Sequence, residues 1–121
     1  MALLRTILPK VKRVLGPHLA AKRYRLQRPQ NAHPAWGCCY PAAEAVYHLW
    51  GKEHGFKPHY IRYRVNSKWI GTHWFLKKES RIIDPTVEQF TIPPDYSKAI
   101  CTGFFTLKPS KRCREILEKV S

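Results

Sequence analysis

Negative charge is what this sequence has least of. The first carboxylate is Glu44, and before it stand Arg5, Lys10, Lys12, Arg13, Lys22, Arg23, Arg25 and Arg28. An acid-free block of this kind attracts polyanions by neutralising phosphates and releasing their counterions. Long apolar runs are missing as well. No window reaches the roughly 18 uninterrupted apolar residues of a membrane-spanning helix. The apolar, basic N-terminus lacks the continuous hydrophobic run and small-residue cleavage site of a secretory leader. The four cysteines, Cys38, Cys39, Cys101 and Cys113, contain no CxxC pair, which removes the zinc-ribbon and thioredoxin-type patterns. Two of them are adjacent, which does not suit a secreted disulfide framework, so reduced thiols in a cytoplasmic compartment are expected. His48, His54 and His59 match no standard metal spacing. No metal or cofactor is expected, and there is no repeat or low-complexity tract.

What remains is enough for one packed domain. The chain has 121 residues, 44% of them apolar and 12% aromatic, with a net charge of +14. A chain of this size buries about two-thirds of its unfolded surface and needs no staples. Three stretches divide it: a basic N-terminal helix with an extended connection over 1–36, a core over 37–107 and a C-terminal helix over 108–121. Leu3, Leu4, Ile7, Leu8, Val11, Val14 and Leu15 recur at helical spacing, a stripe that either covers the core or lies on a membrane surface. Pro9 starts or kinks that helix. Residues 17–37 show no periodicity and read as extended connection.

Tyr40–Trp50 reads as a helix, with Pro41 at its first position and Gly51 as its stop. Tyr60–Val65 alternates as a strand, with Ile61, Tyr63 and Val65 on one face and Tyr60, Arg62 and Arg64 on the other. The Asn66-Ser67-Lys68 turn leads into a strand over Trp69–Leu76, and a turn over Lys77–Ser80 returns the chain along Arg81–Asp84. A short strand is expected near Gly103–Leu107. Ser110 caps a last helix whose Cys113, Ile116, Leu117 and Val120 share a face. The order makes an α+β domain, N-terminal helices packed on a small antiparallel sheet.

One group of residues carries chemistry. Cys38 and Cys39 precede a helix, where the dipole and free N–H groups favour a thiolate and can hold an oxyanion. A turn centred on Lys78-Glu79 sets His73 opposite Asp84, close enough for the carboxylate to accept the imidazole Nδ1–H and fix its tautomer. A one-residue slip of register breaks that pairing. Cys39 is the candidate nucleophile and Cys38 the structural neighbour, since two adjacent side chains cannot both face one histidine. Trp36, Trp50, Trp69 and Trp74 read as core and cleft wall.

The segments Gly37-Cys38-Cys39-Tyr40-Pro41-Ala42-Ala43-Glu44-Ala45, Thr72-His73-Trp74 and Ile83-Asp84-Pro85-Thr86 with Gln89-Phe90 resemble short YunG-like proteins of phages and bacteria. More broadly they resemble the papain-like superfamily that includes NlpC-type peptidases and transglutaminase-like enzymes. The resemblance covers 37–107 and implies a papain-like fold with Cys39 as nucleophile, His73 as base and Asp84 as orienting residue. Tyr40, Trp74 and Gln89 are expected to contact substrate. The papain-type glutamine of the oxyanion hole has only a distant match in Gln30, so that role stays unassigned.

The expectation is a small intracellular cysteine hydrolase or acyl transferase acting on an amide, ester or thioester, in the host cytoplasm if phage-encoded. The alternative is a basic nucleic-acid-binding or host-directed interaction protein of papain-like shape, with Lys22, Arg23, Arg25 and Arg28 contacting the anionic partner.

Overall fold

The structure, a computed structural model, describes residues 3–64 and 70–120. Helix α1 spans Leu4–Arg13, α2 Lys22–Leu26, α3 Cys39–Val46 and α4 Lys111–Val120; strands β1 Lys57–Arg64, β2 Ile70–Lys78, β3 Arg81–Ile83 and β4 Ile100–Cys101 form one sheet. The sheet is antiparallel in the order β3-β2-β1-β4. Mixed helix and strand with a small four-stranded antiparallel sheet make this an α+β domain. Val65, the Asn66-Ser67-Lys68 turn and Trp69 lie outside the described residues.

Helix α3 lies at the centre. It packs on β2 and on both α1 and α4. It is buried along its whole length from Cys39 to Val46, which suits its run of small residues, since Ala42, Ala43 and Ala45 allow close approach from all sides. It continues as a π-turn over Tyr47–Gly51. Pro41 is the third helical residue rather than the first, still within the turn whose N–H groups have no helical partner. The amphipathic stripe of α1 serves the core: Ile7, Val11 and Leu15 are buried, and Leu4, Leu8 and Val14 pack against the same cluster. The helix runs through Pro9.

Strand alternation sorts β2 between two layers. Trp74 and Leu76 join the core on the helix side, whereas His73 and Phe75 pack against Phe90 and Tyr96 from the segment that follows β3. That second layer is polar as well as aromatic, and it contains Asp84.

Three expectations need correction. The hairpin closes on Glu79-Ser80, so Leu76 faces Ile83 and Lys78 faces Arg81. This register differs by two places from the one that sets His73 opposite Asp84. Glu79 adopts φ 55°, the left-handed conformation a tight two-residue turn demands. A two-place shift preserves strand parity, so His73 and Asp84 stay on one face as diagonal neighbours. Residues 17–37 are not simply extended, because a single 3-10 turn at Pro17–Leu19 and α2 lie within them. Residues 103–107 form no strand; the edge strand is Ile100–Cys101, and Phe104 packs edge-on against Tyr40 while the largely exposed Phe105 stacks on it. The Phe105 amide donates to the Tyr40 hydroxyl at 2.7 Å, replacing a ladder bond.

Ser110 caps α4, with its hydroxyl accepting from the Cys113 amide at 3.3 Å. Both the amide and the hydroxyl of Ser110 donate to the fully buried Glu44 carboxylate on α3. The core acid is thereby satisfied, and α4 is anchored to α3.

Candidate active site

Cys39 is the first residue of α3, preceded by Cys38 at the N-cap. Gly37 makes the turn into the helix at φ +76°, and a Cβ there would stand 2.6 Å from the Tyr24 Cβ and 3.0 Å from the Ala20 Cβ. Only glycine lets α2 press against the helix start in this way. The position Tyr24 thereby takes is unusual: its hydroxyl donates to the Thr72 carbonyl at 3.2 Å and accepts from the Thr72 amide at 2.9 Å. Strand β3 pairs with β2 only from Leu76 onward, so the Tyr24 hydroxyl occupies the place a neighbouring strand would take. The Cys39 thiol comes to the same uncovered edge and donates to the Thr72 carbonyl at 3.6 Å.

His73 lies next in the strand, with only 1% of its side chain exposed, and Asp84 is 4% exposed. The His73 Nε2–H donates to Asp84 Oδ2 at 2.7 Å. The carboxylate therefore holds Nε2, not the Nδ1 expected from the sequence. Nδ1 is buried and makes no hydrogen bond of ordinary geometry. Cys39 is the other side chain whose proximity acts on the ring, and its thiol is directed at the Thr72 carbonyl rather than at Nδ1.

Burial by itself would lower the imidazole pKa. The Asp84 hydrogen bond and the Cys39 interactions outweigh it and push His73 up to about 9. Asp84 is held in turn. Its Oδ2 also accepts from the Tyr96 hydroxyl at 2.7 Å, and its Oδ1 accepts from the Thr86 amide at 3.3 Å. Phe90 meets the imidazole edge-on at 4.7 Å between centroids. Ring orientation and tautomer are thus fixed from several sides.

Cys38, though buried like Cys39, has different surroundings. It is wholly buried, its thiol donates to the Gly16 carbonyl at 3.3 Å, and burial pushes its pKa up to about 11. Cys113 is pushed up to about 12 by burial and by Glu44. All four cysteines are free thiols.

A cavity of about 480 Å³ opens beside Cys39, and Tyr40 and Trp74 line it. Gln89 is not among its described lining residues; its amide donates to the Thr86 hydroxyl at 3.0 Å, within the layer behind Asp84. The four basic residues singled out in the sequence take separate places. Arg23 lines the Cys39 cavity, whereas Lys22 and Arg25 line a second groove. Arg28 closes its own loop by donating to the Ala32 and His33 carbonyls. Among the described residues, no group of three His, Cys, Asp or Glu side chains could hold a metal ion, and no helix is long and apolar enough to cross a membrane.

Sequence reasoning missed Tyr24, Thr72 and Tyr96. Only Gly37 signalled Tyr24, because a glycine at a helix entrance marks a close backbone approach; nothing in the pattern marked Tyr96. No protein-family model, curated protein or solved structure matches the chain.

Proposed function

We propose that this protein is a cysteine hydrolase or acyl transferase, papain-like in arrangement, with Cys39 as nucleophile, His73 as general base and acid, and Asp84 as its orienting residue. The observation that carries the reading is the chain of contacts from a helix-start thiol to a buried imidazole whose far nitrogen donates to a buried carboxylate. A cysteine at the start of the central helix, packed on an antiparallel sheet that carries His and then Asp, supports the papain-like comparison.

In the reaction, the Cys39 sulfur forms a bond to the substrate carbonyl carbon while the carbonyl electron pair moves onto oxygen. The imidazolium beside the sulfur stabilises the attacking thiolate. First-turn amides of α3 are the candidate donors for the oxyanion, apart from Pro41, which has no N–H, and Ala42, whose amide donates to the Cys38 carbonyl. Collapse breaks the bond to the leaving amine, alcohol or thiol, which takes the proton from His73. Water or an acceptor amine then gives its proton to His73 and attacks the thioester, which frees the thiol. Asp84 keeps the imidazole in the required tautomer throughout.

Turnover of activated esters and thioesters by the full chain tests this directly. Loss of turnover in Cys39→Ser and in His73→Ala, with Cys38→Ser active, is the expected result; undiminished turnover in Cys39→Ser rules the reading out.

A second reading, polyanion binding, is favoured by a groove of about 410 Å³ whose described lining includes His18, Lys22, Arg25, Lys111 and Arg112, with Glu115 as the one acid among those described residues. Affinity for single-stranded nucleic acid would then fall steeply with salt. Neutralising Lys22, Arg25 and Lys111 together would flatten that dependence.

A further inference from the structure

The cavity beside Cys39 is charged in one sense only. Arg23 of α2, Arg62 of β1 and Arg112 of α4 line it, and its described lining holds no carboxylate. Three elements distant in sequence thus bring arginine side chains to one cavity. Arg112 is fixed there, donating from Nη1 to the Leu19 carbonyl at 2.9 Å, and Arg62 stands 6.0 Å from the Tyr60 ring centroid. Much of the remaining lining is aromatic. Tyr40 meets Trp74 edge-on at 4.9 Å and stacks on Phe105 at 5.1 Å. Clustered cations repel one another, and a neutral amide substrate gains nothing from them. An anionic ligand relieves the repulsion and is drawn to the opening.

We propose that the acyl substrate carries a carboxylate, held by Arg62 with Arg23 and Arg112, beside an apolar or aromatic group that lies on Tyr40, Trp74 and Phe105. The planar guanidinium fork matches a carboxylate in two-point contact, and a cavity of this size falls in the range of small-ligand sites. This inference rests on Cys39 being the nucleophile of the same cavity. The carboxylate has two sources, an acidic side chain or a chain terminus, and the groups on the cavity wall recognise what they share.

The test compares alkylation of Cys39 by iodoacetate and by iodoacetamide, reagents alike in size and different in charge, read by site-resolved mass mapping of the full chain. Exposed Cys101 is the internal reference. The iodoacetate-to-iodoacetamide rate ratio at Cys39 is expected to exceed that at Cys101 by about tenfold, in keeping with electrostatic steering. Arg62→Gln and Arg23→Gln should each pull that ratio down, and Lys119→Gln should leave it. N-acetylglutamate α-amide and N-acetylphenylalanine, offered as competitors, separate the two sources, and protection by neither overturns the proposal. If Cys39 leads with iodoacetamide but shows no anionic preference, the carboxylate inference falls and the nucleophile reading stands. If Cys39 leads with neither reagent, the nucleophile reading falls. The anion site is then judged by quenching of tryptophan fluorescence with phenylsuccinate: binding lost in Arg62→Gln retains the site, and no binding removes it.

Discussion

Cys38 and Cys39 are adjacent in the chain, and the regions around them have opposite characters. The pocket under Cys38 is sealed, with its thiol turned to the Gly16 carbonyl and its pKa pushed up to about 11 by burial. The region around Cys39 opens to a cavity on one side and meets a buried His73 and Asp84 on the other. The difference is made by the helix start. A first-turn position faces the uncovered edge of β2, while the N-cap position one residue earlier points to the carbonyls of Gly16, Pro34 and Trp36. On the proposed reading, reactivity is a property of place rather than of residue type.

The largest way to break this contrast is to remove the carboxylate. In Asp84→Asn the His73 titration, followed by NMR, should move from about 9 back toward or below the ordinary 6.5, because burial then meets less opposition. A titration left near 9 would mean that Asp84 is not what holds the imidazolium.

A substitution at the hinge between the two regions comes next. Gly37→Ala places a methyl 2.6 Å from the Tyr24 Cβ at a positive φ, which should cost about 1–3 kcal/mol in urea unfolding. It should also slow Cys39 alkylation by displacing Tyr24 from the Thr72 edge. Unchanged stability and labelling would separate Tyr24 from the site.

Stability against pH sharpens the same contrast. The folded His73 pKa is raised, so its contribution is complete below 6.5 and is lost as pH rises through about 9. Urea midpoints should therefore fall across that window in the native chain, and His73→Phe should lose that part of the fall.

The smallest effect belongs to the helical layer alone. Ser110→Ala removes the α4 cap and the hydroxyl donor to Glu44 while leaving the backbone amide donor in place, costing about 1–2 kcal/mol. Cys39 labelling should keep its native rate. A slowed rate would couple the helical layer to the site.

Much of this site was legible because short-range rules govern it. A cysteine before a helix, and a histidine and an aspartate at the same parity on two arms of a hairpin, follow from periodicity and turn chemistry. The register was wrong by two places because Glu79 tolerates the left-handed turn that moves the closure to Glu79-Ser80, yet strand parity kept the pair on one face. The ring nitrogen facing Asp84 was misassigned because tautomer and ring direction depend on tertiary partners such as Tyr96 and Phe90. Tyr24 could not be read from periodicity, because a five-residue helix has too few turns to show a period. Phe104 and Phe105 looked like strand residues, and aromatic packing on Tyr40 took them out of the sheet.

The most direct measurement is the site-resolved rate of iodoacetamide labelling at neutral pH, comparing Cys39 with Cys38 in the native chain and in His73→Ala. Cys39 should lead Cys38 by a wide margin, and the loss of His73 should cut the Cys39 rate by about a hundredfold while leaving Cys38 as slow as before. Equal rates at the two thiols, or a Cys39 rate indifferent to His73, would contradict the assignment of Cys39 and His73 to one reacting pair.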